Sequence, residues 1–189
     1  MKHFVLLLIL TGTFSACNNK NKSAGAATGS SPDSTGTTEG VSPVQKKVDA
    51  LEKMTAYSID EMKALLPIAI AGDTAKDVSS FNNMGTGFAK ARYAHDDSTS
   101  IEVNVFDCGG SAGAGLYSRH YQEVETMQDE YTKIGDFKGE KTIEHLNDGN
   151  DKRPVLTYIA NGRLLVTLEG ENLSMESLKS TARNLSLKP

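Results

Sequence analysis

The chain has 189 residues, of which 38% are hydrophobic and 23% are charged, and its formal net charge is −4 at pH 7. An acidic balance without clustered lysine and arginine argues against nucleic-acid binding and against a basic membrane-binding face. The composition and length are those of a chain that can bury the core of one ordinary globular domain.

The first sixteen residues have the organisation of a secretory signal. Lys2 precedes the apolar run 4–10, and the small residues Ser15 and Ala16 close the segment. A positive start, an apolar segment and a small-residue cleavage site are typical of a signal peptide. The apolar run is far shorter than the about 20 residues that a membrane-spanning helix needs. Residues 1–16 are therefore predicted to be removed, which leaves the mature chain slightly more acidic.

Cys17 comes directly after this segment, so that the region resembles the lipobox of bacterial lipoproteins, with Phe14 where that family normally carries Leu. The resemblance implies that the Cys17 thiol carries a diacylglycerol and that the new amino terminus carries an N-acyl chain. Several acyl chains give stable anchoring, at about 0.8 kcal/mol for each buried methylene. Because Asn18 follows instead of Asp, the resemblance further implies an outer membrane, facing the periplasm, in a Gram-negative host. No other cofactor is predicted.

Residues 17–43 are predicted to be a flexible linker. The stretch 18–40 is rich in Ser, Gly and Thr and contains no large apolar residue, so it cannot bury enough surface to offset the entropy of ordering. A linker of this composition has a typical reach of about 25–30 Å. With Cys17 committed to lipid, Cys108 is left alone and no internal disulfide is possible.

Residues 44–189 are predicted to form a single domain that begins with two helices. Apolar residues recur at helical spacing over 44–54, behind Ser42 and Pro43. A second helix is predicted to start at Ser58, which forms a capping box with Glu61.

Two β-hairpins follow. Residues 88–94 and 100–106 read as strands joined by a polar turn at 95–98. Residues 154–160 and 163–169 are separated by Asn161-Gly162, the preferred two-residue hairpin turn, and residues 141–146 are predicted to add a neighbouring strand. A two-residue turn places three pairs opposite each other on one aliphatic face and leaves Tyr158 on the other face; the pairs are Ile159 with Leu164, Thr157 with Val166, and Val155 with Leu168.

Further helices are predicted over 116–127 and, behind Ser174, over 175–185. Together the elements predict an α+β domain, with an antiparallel sheet built of hairpins and packed on one face by helices. The closing strand–turn–strand–helix segment, with Gly170 at its exit, is similar to parts of uncharacterised exported bacterial domains.

The segment 107–115 is rich in glycine and lies between a strand and a helix, where phosphate-binding loops occur. Leu116 and Tyr117 stand where such a loop needs Lys and Ser or Thr, so no nucleotide site is predicted. The glycines are interpreted as allowing a tight turn into the helix. Gly109 and Gly110 remain candidates for ligand contacts.

Two alternatives involve reactive side chains. Cys108, at a predicted helix start, could act as a nucleophile with His120 as its base, although a lone Cys is more often a small packed hydrophobe. His95, Asp96 and Asp97 could hold a metal ion weakly, although a solvated hairpin tip explains them as well.

The sequence therefore predicts a lipid-anchored extracytoplasmic binding or accessory module of the bacterial cell envelope. Its partner would be an envelope protein or the cell wall. If the outer face of the sheet is uncovered, Glu102, Asn104, Phe106 and Tyr158 are the predicted binding residues. A small cysteine-dependent envelope enzyme and a metal-handling protein remain the alternatives.

Overall fold

The computed structural model describes residues 41–127, 129–147 and 152–188. Within them lie four helices: α1 (Pro43–Glu52), α2 (Ile59–Leu65), α3 (Gly110–Thr126) and α4 (Met175–Asn184). There are eight strands: β1 (Ala69–Ile70), β2 (Asp73–Asn83), β3 (Thr86–Ala94), β4 (Ser100–Asp107), β5 (Thr132–Phe137), β6 (Glu140–Leu146), β7 (Pro154–Ala160) and β8 (Leu164–Glu171). The strands form one open antiparallel sheet in the order β1-β2-β3-β4-β8-β7-β6-β5. The predicted single α+β domain with a hairpin-built sheet is confirmed.

Three of the helices start at a serine whose hydroxyl oxygen accepts a backbone hydrogen bond. Ser42 caps α1, Ser174 caps α4, and Ser58 caps α2 in a complete capping box with Glu61. Such caps satisfy amide groups that have no partner inside the helix. The helix starts predicted from these serines are confirmed.

The larger apolar core lies between one face of the sheet and helices α2 and α4. The strands contribute alternate residues, since side chains of a strand point to opposite faces in turn. Buried members of this core include Met62, Leu65, Ala91, Val103, Leu156, Tyr158, Val166, Leu168, Leu178 and Ala182.

A second, smaller core lies on the opposite face, where α1 and α3 cover one end of the sheet. Its buried members are Val48, Leu51, Cys108, Ala114, Tyr117 and Ile159. The predicted helix-covered face is therefore present, and a second helical layer covers part of the other face as well. The far end of that second face carries polar side chains.

The register of the last hairpin differs from the prediction by one residue. Ala160 pairs with Leu164, so the connection has three residues instead of two. Asn161 and Gly162 do form the turn, with φ of 54° and 62°, but Arg163 is an extra residue whose carbonyl accepts a hydrogen bond from the Cys108 amide at 2.9 Å. A one-residue slip moves every side chain of a strand to the other face.

The predicted position of Tyr158 is wrong for this reason. Tyr158 pairs with Val166, is 3% exposed and belongs to the larger core, where its ring packs edge-on against Phe137 at 5.0 Å. The helix predicted over 116–127 is longer than expected and begins at Gly110. Strands β1, β2 and β5 were not predicted. None of the helices in the described part of the chain is both long and apolar enough to span a bilayer.

Candidate functional site

Cys108 is a packed core residue in this fold. Its side chain is fully buried in the smaller core, and burial raises the pKa of the thiol to about 12. The thiolate needed for nucleophilic attack is therefore strongly disfavoured. Among the described residues, the structure records no hydrogen bond between Cys108 and His120.

His120 is also buried, on the inner side of α3. Its Nε2 lies 3.0 Å from the carbonyl oxygen of Lys141, which fixes Nε2–H as the donor, and its Nδ1 has no hydrogen-bond partner within the part of the chain that the structure describes. Burial lowers the pKa of the imidazole, which favours the neutral form. The structure therefore does not assemble the pair that a cysteine enzyme would need.

A buried ion pair lies at the start of the glycine-rich segment, and the sequence did not predict it. Asp107, which is fully buried, accepts two hydrogen bonds from Arg163, at 2.7 Å from Nε and 2.8 Å from Nη2. It also accepts the backbone N–H groups of Tyr57 at 2.7 Å and Gly109 at 2.9 Å. The Gly109 amide is therefore already satisfied within the protein.

The electrostatics of this pair follow from its contacts. Burial alone would raise the pKa of Asp107, but the hydrogen bonds from Arg163, Tyr57 and Gly109 outweigh burial, and the net pKa is lowered. The Arg163 guanidinium also stacks on the Tyr57 ring at 3.6 Å and donates to the Thr55 carbonyl. The network ties the connection between α1 and α2 to the start of α3.

Gly110 lies in the first turn of α3 rather than in a loop. Its φ is +81°, which favours glycine, and a Cβ there would approach Ala56 and the Met54 carbonyl. Gly109 and Gly110 are thus packed beneath the connection between α1 and α2, and the interpretation of these glycines as a tight entry into the helix agrees with the structure.

The uncovered end of the second sheet face brings together two of the four residues predicted for binding. Asn104, which is 8% exposed, donates to Glu102 at 3.1 Å and to Glu169 at 3.4 Å, and the two glutamates lie opposite each other on β4 and β8. Burial, followed by the charge of Glu102, raises the pKa of Glu169. Phe106 lies further along the same face of β4, where its ring packs against Phe88 at 4.6 Å, and Tyr158 is on the opposite face.

The three residues predicted as weak metal ligands serve different structural purposes. Asp96 closes the hairpin turn by accepting the amides of Ser98 at 2.8 Å and Thr99 at 2.6 Å. His95 points instead to Asp73 on β2, with 3.3 Å between Nδ1 and Oδ1, and Asp97 is exposed. Within residues 41–127, 129–147 and 152–188, no three His, Cys, Asp or Glu side chains lie close enough together to hold a metal ion.

A concave surface lies between α4 and the strand ends around β1, and we call it the α4 cleft. It consists of two cavities, of about 350 and 510 Å³, that share Ile70, Ala71 and Thr181. The first cavity is also lined by apolar Tyr93, Ile101 and Leu173, and the second by Pro67, Ala69 and Leu185. Ligand pockets in proteins have this size and this mainly apolar lining.

A few polar side chains converge on the first cavity. Asp73 and His95 stand together at one side, with Thr99, Ser100 and Ser177 nearby. Tyr93 forms part of the wall; its hydroxyl donates to the Pro67 carbonyl at 2.7 Å, and burial raises the pKa of Tyr93 to about 12. The cleft thus combines apolar walls with one polar corner.

Sequence reasoning missed the cleft because its walls come from distant parts of the chain. Asp73 and Ile70 lie in a region where no strand was predicted, while Leu173 and Thr181 lie about a hundred residues later. The sequence groups His95 with its neighbours Asp96 and Asp97, whereas its partner in the fold is Asp73 on β2.

Comparisons with protein-family models, curated proteins and solved structures gave no match for this chain.

Proposed function

We propose that this protein is a lipid-anchored, extracytoplasmic binding module of the bacterial cell envelope and that it binds its ligand in the α4 cleft. The observation that carries the proposal is the cleft itself, whose size and apolar walls with one polar corner suit a small molecule. The anchor would be acyl chains on Cys17, and the linker that precedes the Ser42 cap of α1 would hold the domain away from the membrane.

The state of the reactive side chains supports binding over catalysis. Cys108 is buried with a raised pKa, and His120 is buried with its Nε2 engaged by a carbonyl. A cysteine nucleophile needs a thiolate and access to a substrate. The α4 cleft, by contrast, opens to solvent beside His95, which is exposed.

Titration of the cleft with a neutral amphiphile tests the binding half of the proposal. We expect 1-octanol, added to residues 17–189, to shift the backbone amide signals of Ile70, Ile101 and Thr181 in a saturable way. Thr181→Phe places an aromatic ring in both cavities and should abolish these shifts. Ser186→Phe, near the rim of the second cavity alone, is the matched control and should leave the shifts of Ile101. Unchanged octanol binding in a folded Thr181→Phe variant would refute the cleft as the site.

Mass measurement tests the anchoring half. Protein extracted from the host membranes in mild detergent should have a denatured mass that exceeds that of residues 17–189 by a diacylglycerol and an N-acyl chain. Cys17→Ser should remove the added mass and the membrane association, whereas Cys108→Ser should retain both. A wild-type protein without acyl mass would refute the anchor.

A further inference from the structure

The charged side chains that line the α4 cleft indicate which class of ligand the cleft binds. Among the described residues that line its two cavities, Asp73 is the one carboxylate, His95 the one imidazole, and there is neither lysine nor arginine. An anionic head group would find no fixed positive charge there, while a cationic head group would find the Asp73 carboxylate. Because the walls are apolar, the rest of the ligand should be apolar too.

The Asp73 carboxylate is available to a ligand. Its recorded contact is with His95, at 3.3 Å between single atoms, and the His95 side chain is 73% exposed. An exposed pair of this kind contributes little to stability, so a ligand cation can replace the imidazole at little cost. The carboxylate itself is partly sheltered, with 25% of its side chain exposed, so a charge beside it is screened less than at an open surface.

Tyr93 adds a second element of recognition. It is 2% exposed and lines the same cavity as Asp73, and its hydroxyl is engaged by the Pro67 carbonyl. The hydroxyl proton of Tyr93 is therefore engaged, and its ring and hydroxyl oxygen are what it offers to a ligand. An aromatic ring together with a carboxylate is the combination that binds alkylammonium groups in proteins.

We propose that the α4 cleft binds a small amphipathic cation, with an ammonium head group at Asp73 and Tyr93 and an apolar body along Ile70, Ile101 and Leu173. This inference rests on the proposed function, since it names the ligand class of the same cleft. The apolar part supplies most of the affinity through burial, and the carboxylate selects the charge of the head group.

Three probes of equal chain length test the charge preference: octylammonium, 1-octanol and octanoate, titrated calorimetrically into residues 17–189 at pH 8, where histidines are generally neutral. We expect the dissociation constants to increase in that order, with octylammonium on the order of tenfold tighter than 1-octanol. Asp73→Asn should remove the preference for octylammonium while leaving 1-octanol binding unchanged.

Asp77→Asn is the matched control. It lies on the same strand, makes the same change in net charge, and has φ of 51°, a conformation that asparagine tolerates well. Asp77 does not line either cavity. The control therefore separates a specific contact at Asp73 from the general attraction of an acidic protein for cations, and it should keep the full preference.

The outcomes separate the two proposals. If octanoate binds as tightly as octylammonium, or if Asp73→Asn and Asp77→Asn weaken octylammonium equally, the cation proposal is overturned while the cleft remains the binding site. If a folded Thr181→Phe variant binds all three probes like the wild type, the cleft is not the site and both proposals fail. Circular dichroism of each variant establishes that it is folded.

Discussion

Two pairs of an aspartate with a basic side chain lie in different parts of this sheet, and they differ in almost every physical respect. Asp107 is fully buried, accepts two hydrogen bonds from Arg163, and accepts two backbone amides as well. Asp73 is partly exposed and makes one contact of 3.3 Å with the exposed His95. The first pair is a fixed part of the fold, and the second leaves its carboxylate open to a ligand.

The difference shows why burial and partner count, rather than residue type, decide the role of a charge. Removing water from a carboxylate costs several kcal/mol, so a buried one persists only if its oxygens are all satisfied inside the protein. Asp107 meets that condition, which leaves it no capacity for a ligand. Asp73 keeps contact with water and therefore needs no such compensation.

Replacing the buried cation should have the largest effect. Arg163→Met leaves the Asp107 carboxylate buried without its ion partner, and we expect the free energy of unfolding to fall by about 3–5 kcal/mol. Arg92→Met is the control, because Arg92 forms an exposed pair with Glu171 at 3.4 Å and should cost less than about 1 kcal/mol. Urea unfolding measures both. Equal losses would show that the Asp107 pair is not the fixed element described above.

A methyl group added near Asp107 should have the next largest effect. A Cβ at Gly113 would lie 2.4 Å from the backbone oxygen of Asp107, so Gly113→Ala should destabilise the fold by about 1–3 kcal/mol. Gly115, in the same helix, has open space around it, and Gly115→Ala should stabilise by about 0.5–1 kcal/mol. Thermal unfolding of the two variants should shift in opposite directions, and shifts of the same sign would contradict the packing at Asp107.

Glu169, at the uncovered end of the second sheet face, gives a pH-dependent effect. Because its pKa is raised in the folded protein, its charge opposes folding, and stability is lost as the pH rises through that pKa. Glu169→Gln should therefore stabilise at pH 7 by less than about 1 kcal/mol, and the gain should vanish in acid. Glu171→Gln is the control, since Glu171 pairs with Arg92 and should give no gain. Urea midpoints at pH 3 and pH 7 measure the difference.

The smallest effect is expected at the open pair. Asp73→Asn and His95→Ala should each change the free energy of unfolding by no more than about 0.5 kcal/mol, because the pair is exposed and makes a single long contact. Comparison with Arg163→Met then shows how much less the Asp73–His95 pair contributes to stability than the Asp107–Arg163 pair. A loss above about 2 kcal/mol for Asp73→Asn would show that the Asp73 carboxylate stabilises the fold, as Asp107 does.

Much of the fold could be predicted because its signals are local. Serine caps, alternating strands and the Asn161-Gly162 turn gave most elements near their true bounds. Strand β2 was missed because it is an exposed strand with a bulge between Lys76 and Ser79, which interrupts the alternation of polar and apolar residues.

The site could be predicted much less. The Asn-Gly turn was recognised, but the extra residue Arg163 depends on its carbonyl pairing with the Cys108 amide and its side chain pairing with Asp107, which are contacts across more than fifty residues. That single residue shifted the register and moved Tyr158 into the core. Of the four residues predicted for the sheet face, three share one face of β4 and Tyr158 lies on the other; the three are Glu102, Asn104 and Phe106, of which the first two are hydrogen-bonded.

The sequence by itself determined most of the elements, the α+β class and the prediction of an acylated Cys17, because each depends on neighbouring residues. The tertiary structure alone decided which charges are buried, which thiol is inert and where a cleft opens. Those properties depend on which distant segments meet and on how much water remains between them. Asp73, Tyr93 and Thr181 come from β2, β3 and α4, and they share a cavity only because the sheet and the last helix bring them there.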